Sequence, residues 1–327
     1  MRFSLLFFLS WTLCFSLLFS SFVDGHLLPR NARIALAELP LPSLPSNLRP
    51  QATDFSEFDL EAALPPASNT LSQMPVLPTN CAEYVGGPEC PSSMTATAVT
   101  YEDCGDAFTV CRCDNANMTL DTAVDRLGRV PVGLRRFVGT VFVLENNATR
   151  AYTNLSTGDI HLFGDCAMDT WIHEASHTFD FAFFSDFVPS NTTGWKQAIA
   201  DDSCVPDSYS LRNRVEDFAQ MSVLKIYMLL HSGHLPPGFE SACMSHQLDF
   251  MGTLPLYNAQ NLFGNTCAIN DGSFGVRKPP VVLDEGRVFM TVPLDPTPSP
   301  TATNSACRLK YGEWTLWGAF LFLIFGL

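Results

Sequence analysis

Two histidines four positions apart, with a glutamate directly after the first, are the residues of this sequence best suited to chemistry. They are His173, Glu174 and His177, in the pattern H-E-x-x-H. Residues i and i+4 of an α-helix lie on one face, so both imidazoles can bind one Zn²⁺. Glu174 then lies beside the metal, where a general base for a water molecule is needed. The motif therefore predicts a zinc centre that hydrolyses peptide bonds.

A catalytic zinc usually has three protein ligands and one position left for water. The longer pattern with a third histidine is absent, because Phe183 stands at its position. We predict Glu216 as the third ligand, contributed by a second helix packed against the first. Asp180 is the alternative, since it would share a helical face with both histidines, but we expect it to be a surface or outer carboxylate. Gln220, one turn after Glu216, is predicted to accept a hydrogen bond from a ligand histidine.

The hydrophobic pattern predicts the helices that must carry these residues. Apolar spacing favours a motif helix over 168–181 and a second long helix over 212–230, which Gly233 ends. A shorter helix is predicted over 120–127, ended by Gly128. Both long helices contain the proposed ligands, as a two-helix zinc site requires.

Alternating apolar residues predict strands directly before the motif helix. A strand is expected over 136–145 and a hairpin over 152–163. The strand near Ile160–Phe163 is expected to be an exposed edge that pairs with an extended substrate. His161, on this strand, is expected at the surface. Together the elements predict an α+β fold: a disulfide-linked, zincin-like metalloprotease domain with a small mixed or antiparallel sheet.

The two ends of the chain differ in composition from its middle. An apolar run after Arg2 predicts a secretory signal peptide, and small residues before a short polar spacer and an apolar end predict a GPI-attachment signal. The predicted organisation is a signal peptide (1–25), a Pro-rich pro-segment or spacer (26–78), the catalytic domain (79–290), a Pro/Ser/Thr stalk (291–306) and a removed GPI signal (307–327).

Cysteines, glycosylation motifs and charge agree on an extracellular protein. The chain has 11 cysteines, and loss of Cys14 and Cys307 with the terminal signals leaves nine, so one is expected to be free or intermolecular. The net charge of −14 argues against nucleic acid as a partner, and against membrane contact other than through a lipid anchor. Four N-glycosylation motifs follow the signal, at Asn117, Asn147, Asn154 and Asn191.

Tyr209 precedes Glu216 by seven residues and, from its pattern alone, is an ordinary half-buried tyrosine. However, Tyr209 and Glu216 together with the H-E-x-x-H motif resemble the Glu-zincin arrangement of the anthrax lethal factor protease domain. This resemblance implies that the Tyr209 phenol donates a hydrogen bond to the oxyanion of the reaction. That pattern has an acid where this chain has Gln220, which implies weaker zinc binding.

A second resemblance, over residues 81–270, is to the secreted conidiation-specific proteins of filamentous fungi, a family regarded as candidate metalloproteases. It is carried by Cys111-Arg112-Cys113, by the segments 131–135 and 164–166, and by the segment 202–209. The resemblance implies a zinc-dependent endopeptidase that acts on peptide or protein substrates, with Glu174 and Tyr209 as catalytic residues. The alternative is a non-catalytic zinc-binding or disulfide-rich cell-surface or cell-wall protein.

Overall fold

The structure is a computed structural model that describes residues 41–264 and Cys267, except for positions 54, 56–58, 147, 156 and 183–187. The strands in this part of the chain are β1 (Arg49–Ala52), β2 (Asn69–Gln73), β3 (Met94–Tyr101), β4 (Cys104–Cys113), β5 (Val141–Leu144), β6 (Arg150–Asn154), β7 (Asp159–Phe163) and β8 (Cys204–Asp207). The helices are α1 (Leu60–Ala63), α2 (Thr79–Ala82), α3 (Leu120–Arg129), α4 (Val132–Arg135), α5 (Met168–Asp180), α6 (Thr193–Asp201), α7 (Arg214–Leu230), α8 (Ser245–Thr253) and α9 (Ala259–Phe263). The predicted signal peptide, stalk and GPI signal lie outside the described residues, as does Phe183.

A six-stranded mixed sheet forms the centre of the fold, in the order β2-β3-β4-β5-β7-β6. The strands β4, β5 and β7 run parallel, whereas β2, β3 and β6 are antiparallel to their neighbours. The central strands β5 and β7 are buried along their whole length, as expected for strands covered on both faces. The predicted α+β class with a mixed sheet is therefore confirmed, and so is the hairpin of β6 and β7.

Two predicted element boundaries were wrong for local reasons. The strand predicted over 136–145 is shorter than expected and comprises only β5, because α4 occupies the residues before it and Gly139 packs against the turn between β6 and β7. A side chain on Gly139 would lie 2.5 Å from the Asp159 carboxylate, which accepts a hydrogen bond from the Thr140 N–H. The helix α3 continues through Gly128 instead of ending there. The glycine allows close packing, because the Tyr101 ring occupies the space that a side chain at 128 would need.

The helices α5 and α7 pack against each other, and α5 also packs on β6. Every residue of α5 except Asp169 is buried, so this helix is a core element. The helix α7 begins at Arg214, two residues later than predicted, because the Asn213 side chain caps it. It ends at Leu230, where Gly233 adopts a φ of +87° and donates to the Met228 carbonyl.

The segment before residue 79, expected to be a spacer or pro-segment, contributes to the fold from residue 44 onward. The strand β1 pairs in parallel with β8, and β2 adds an edge to the main sheet. Leu48, Phe55 and Leu60 of this segment are buried in the core. The folded region thus begins earlier than the sequence predicted. The Pro-rich composition of this segment is typical of a spacer, and its few core residues show no periodic pattern.

Four disulfides join eight of the nine cysteines between 81 and 267: Cys81–Cys111, Cys90–Cys113, Cys104–Cys267 and Cys204–Cys243. The ninth, Cys166, is buried, with its sulfur 3.4 Å from the Phe163 carbonyl oxygen. The disulfide-linked domain that the sequence predicted is therefore present. None of the described helices is both long and apolar enough to cross a membrane.

Candidate metal centre

The side chains of His173, His177 and Glu216 converge where α5 packs against α7. The two Nε2 atoms of the histidines lie 3.0 Å apart, and Glu216 Oε2 lies 3.1 and 3.2 Å from them. Among the described residues, this is the set of histidine, cysteine and acidic side chains placed closely enough to hold one metal ion. Zinc bonds of about 2.0–2.1 Å in a tetrahedron separate the ligand atoms by about 3.3 Å, so these donors fit zinc in type and spacing.

Local folding explains how the three ligands come to face one another. His173 and His177 lie one turn apart on a helix that is buried on almost all sides. The Asn213 side chain accepts hydrogen bonds from the N–H groups of Val215 and Glu216, which fixes the start of α7. Glu216 therefore lies in the first helical turn, where the helix dipole favours a negative charge.

The electrostatics of the cluster favour an ionised Glu216. Burial opposes its charge, but hydrogen bonds and charge interactions with His173 and His177 lower the pKa of Glu216 well below its ordinary value. Burial likewise opposes a charged His177, yet the hydrogen bond and charge of Glu216 raise the pKa of His177 above its ordinary value. The carboxylate and imidazoles thus stabilise one another through hydrogen bonds and opposite charge, and a bound divalent cation would take the place of the shared proton.

Glu174, the predicted general base, is buried beside this cluster. Its Oε2 accepts a hydrogen bond from the hydroxyl of Thr153 on β6, at 2.7 Å. Burial raises the pKa of Glu174, against the opposing effects of both histidines and of Thr153. A raised pKa makes a carboxylate a stronger base. Thr153 was not predicted as a site residue, because a threonine in a strand is an ordinary residue there.

Tyr209 lies beside His173. Its half-buried ring packs edge-on against His173, with ring centroids 5.3 Å apart. Arg212 donates a hydrogen bond to the Tyr209 hydroxyl oxygen at 3.1 Å, and its guanidinium lies 5.0 Å from the ring centroid. The structure thus brings together all five predicted site residues, and adds Arg212 as a cation that the sequence reasoning did not identify.

The structure decides between the two positions predicted for Asp180 and contradicts the hydrogen bond predicted for Gln220. Asp180 is fully buried instead of lying at the surface, and its Oδ1 accepts a hydrogen bond from the Ser190 N–H at 2.8 Å. Burial raises the pKa of Asp180 to about 6. Gln220 does not accept from a histidine, since neither histidine Nδ1 has a hydrogen-bond partner among the described residues; its side-chain nitrogen donates to Asp207 at 2.8 Å.

Asp207 is a buried carboxyl group near the ligand His173 that the sequence reasoning missed. It accepts hydrogen bonds from the Ser210 N–H, the Ser210 hydroxyl and Gln220. Burial raises its pKa to about 6, and the charge of His173 acts in the opposite direction. The Nδ1 atoms of His173 and His177 have no hydrogen-bond partner among the described residues. The position of Asp207 within the quoted segment 202–209 is the signal that could have identified it.

The strand at the sheet edge nearest the site is β6. The sequence had predicted the next strand, β7, as the exposed edge. The strand β7 pairs with β5 on one side and β6 on the other, so Ile160–Phe163 is not an edge. His161 on this strand is buried instead of exposed. It stacks between Phe142 and Tyr152, with ring centroids 4.6 and 4.3 Å away, and its Nε2 lies 2.7 Å from the Tyr84 hydroxyl.

Comparison with known proteins gives one family and one curated relative. Residues 57–258, which include the whole cluster, match the family model described as conidiation-specific protein Con-13. The curated relative, conidiation-specific protein 13 of Neurospora crassa, is 34% identical over 175 residues, which is 50% of this chain and 51% of that protein. The chain therefore spans about half the length of the curated relative that it matches. No solved structure matches the chain.

Proposed function

This chain belongs to the family of conidiation-specific protein Con-13, and on that premise we propose that it is a zinc-dependent metalloendopeptidase. The observation that carries the proposal is the convergence of two imidazoles and one carboxylate within 3.0–3.2 Å of one another. A buried glutamate, Glu174, directly follows His173, and the phenol of Tyr209 packs against the same histidine. The chain thereby offers residues for three roles in the hydrolysis of an amide: binding the metal, moving the proton of water and supporting the oxyanion.

The arrangement of elements supports a zincin-like assignment of the fold. Both histidines lie on α5, which packs under the mixed sheet, and the third ligand comes from α7. The sheet ends in an antiparallel strand, β6, beside the candidate base. An edge strand in this position offers backbone groups with which an extended peptide can pair, so β6 takes the role that we first expected of the strand at Ile160–Phe163.

His173, His177 and Glu216 would hold the zinc ion, which supplies a Lewis acid for the scissile carbonyl and lowers the pKa of water. Glu174 accepts the proton of the attacking water at its carboxylate and delivers it to the nitrogen of the leaving amine. Tyr209 donates its phenolic hydrogen to the oxyanion that forms at the carbonyl. The buried surroundings of Glu174 keep bulk water from competing for these contacts.

The direct test is peptide hydrolysis by the purified, glycosylated protein, with zinc content measured on the same sample. We expect cleavage of a mixed peptide library by the wild type and loss of cleavage, by at least about 10³-fold, in Glu174→Gln with zinc retained. The exposed Glu102→Gln is the matched control for removing one carboxylate. A wild type that holds one zinc and cleaves nothing would instead support the non-catalytic zinc-binding alternative.

We also propose that the protein is secreted and held at the cell surface by a lipid anchor. The proposal rests on the apolar terminal segments and the small residues Asn304-Ser305-Ala306. Release of the protein from membranes by phosphatidylinositol-specific phospholipase would support the anchor. Detection of residues 307–327 in the intact mature protein by mass spectrometry would contradict it.

A further inference from the structure

Thr153 joins the sheet edge to the candidate base. It lies on β6 opposite Ile160 of β7, and its side chain points to α5. The hydroxyl is buried and lies 2.7 Å from Glu174 Oε2 and 3.0 Å from the Glu174 carbonyl oxygen. One side chain of the edge strand thus contacts both the backbone and the carboxylate of a single helical residue.

A hydroxyl has one hydrogen to donate, so these two acceptors compete for it. The Glu174 carbonyl lies within α5 and accepts a helical hydrogen bond already. The contact with Oε2 is the shorter of the two, at 2.7 Å against 3.0 Å, as expected for the stronger hydrogen bond. The hydrogen of Thr153 therefore goes to Oε2, which leaves Glu174 Oε1 for another proton donor.

We propose that Thr153 is a positioning residue for Glu174, an inference that rests on the proposed peptidase function. By holding Oε2, Thr153 fixes the rotation of the carboxylate and presents Oε1 to the attacking water. Because Thr153 belongs to β6, the orientation of the base is set by the same strand on which the substrate would lie. The position of the base relative to the bound substrate is thereby fixed by one strand, β6.

The rival explanation is that Thr153 only attaches the sheet to α5 through the Glu174 carbonyl. The two explanations differ in whether the stability effects of Thr153 and Glu174 depend on each other. We would measure urea unfolding of the metal-free wild type, Thr153→Val, Glu174→Ala and the double variant. Valine keeps the shape of threonine and removes the hydroxyl. Thr109→Val is the matched control, because the buried Thr109 hydroxyl has no hydrogen-bond partner among the described residues.

We expect Thr153→Val to lower the unfolding midpoint clearly more in the wild type than in Glu174→Ala. Equal decreases in both backgrounds would place the hydrogen bond on the backbone carbonyl and overturn the inference. This arm of the experiment does not depend on catalysis. It therefore tests the contact whether or not the protein is a peptidase.

The second arm measures kcat and KM of the zinc-loaded proteins on one peptide substrate. We expect Thr153→Val to lower kcat by roughly 10-fold or more with little change in KM, since it loses a hydrogen bond to a charged group. Thr153→Ser should restore most of kcat. An unchanged kcat in Thr153→Val would overturn the positioning role even if the stability effects are coupled. Absence of activity in the wild type, with that coupling intact, would instead be a failure of the proposed function.

Discussion

The ring of Tyr209 lies edge-on against the imidazole of His173, with 5.3 Å between their centroids. The same phenol accepts a hydrogen bond from Arg212 at its oxygen. A guanidinium can only donate, so this contact does not use the phenolic hydrogen. The contact with Arg212 is therefore compatible with the role of oxyanion donor that we propose for Tyr209, beside the candidate ligand His173.

Tyr209→Phe is predicted to retain zinc and fold but to lower kcat by about 10²–10³-fold, with KM nearly unchanged. The reason is that an oxyanion donor acts mainly in the transition state. Melting temperature and steady-state kinetics on one peptide would be measured together. Tyr227→Phe is the control, since this half-buried tyrosine lies three turns along α7 from Glu216. A kcat within about twofold of the wild type would remove Tyr209 from the mechanism.

Glu216→Ala is predicted to lose the zinc ion, whereas Asp180→Ala is predicted to keep it. Glu216 Oε2 lies within 3.2 Å of both imidazoles, while Asp180 accepts from the Ser190 backbone and is not part of the three-residue cluster. Metal content after dialysis, by elemental analysis, distinguishes the variants. One zinc per molecule in Glu216→Ala, together with its loss from Asp180→Ala, would reverse the assignment.

The stability of the metal-free protein is predicted to depend on Asp180 between about pH 4 and pH 6. Burial raises the pKa of Asp180 from 3.8 to about 6, so within this window the folded state binds a proton that the unfolded state has lost. The wild type should therefore lose stability relative to Asp180→Asn as the pH rises from 4 to 6, by up to about 3 kcal/mol. Urea unfolding of both proteins at several pH values, with chelator present, measures this difference.

Removal of an exposed carboxylate, Asp106→Asn, is the control for a general charge effect. A stability difference between the wild type and Asp180→Asn that stays constant from pH 4 to pH 7 would contradict the prediction. A difference that grows in the opposite direction would show that the charged form of Asp180 stabilises the fold.

Leu48→Ala is predicted to destabilise the folded protein by about 2–4 kcal/mol, as expected for truncating a leucine in a packed core. Leu48 is 4% exposed and directly precedes β1. Leu71→Ala, on the outer strand β2 where the leucine is 46% exposed, should change stability by only about 0.5 kcal/mol. Urea unfolding tests both. Equal stabilities of Leu48→Ala and the wild type would mean that Leu48 does not stabilise the core.

The sequence was sufficient to predict those parts of the site that depend on helical periodicity. His173 and His177 share a face through their spacing alone, and Glu216 follows from the need for a third ligand on the second amphipathic helix. Thr153 could not be found in this way. Its contact with Glu174 depends on the register of β6 against β7 and on how α5 packs on the sheet.

Strand order was the main feature that local patterns did not reveal. The alternation around Ile160 indicates a strand, but it does not indicate that β5 covers one edge and β6 the other. His161 was misplaced for the same reason, since its partners Phe142 and Tyr152 come from those two neighbouring strands. Whether a strand is buried on both sides depends on the tertiary structure. A polar residue such as His161 within the strand does not indicate this burial.

The pairing of β1 with β8 limits how early the fold can form during synthesis of the chain. The Ser208 hydroxyl donates to the carbonyl of Thr53, a residue 155 positions earlier, in the loop that leads to Tyr209. At synthesis rates of about 5–20 residues per second, β1 waits roughly 10–30 s for its partner strand. Contacts between residues so distant in sequence also form slowly during folding. A nascent chain therefore cannot complete either this strand pair or the candidate metal centre until about two thirds of its 327 residues, up to Glu216, have been made.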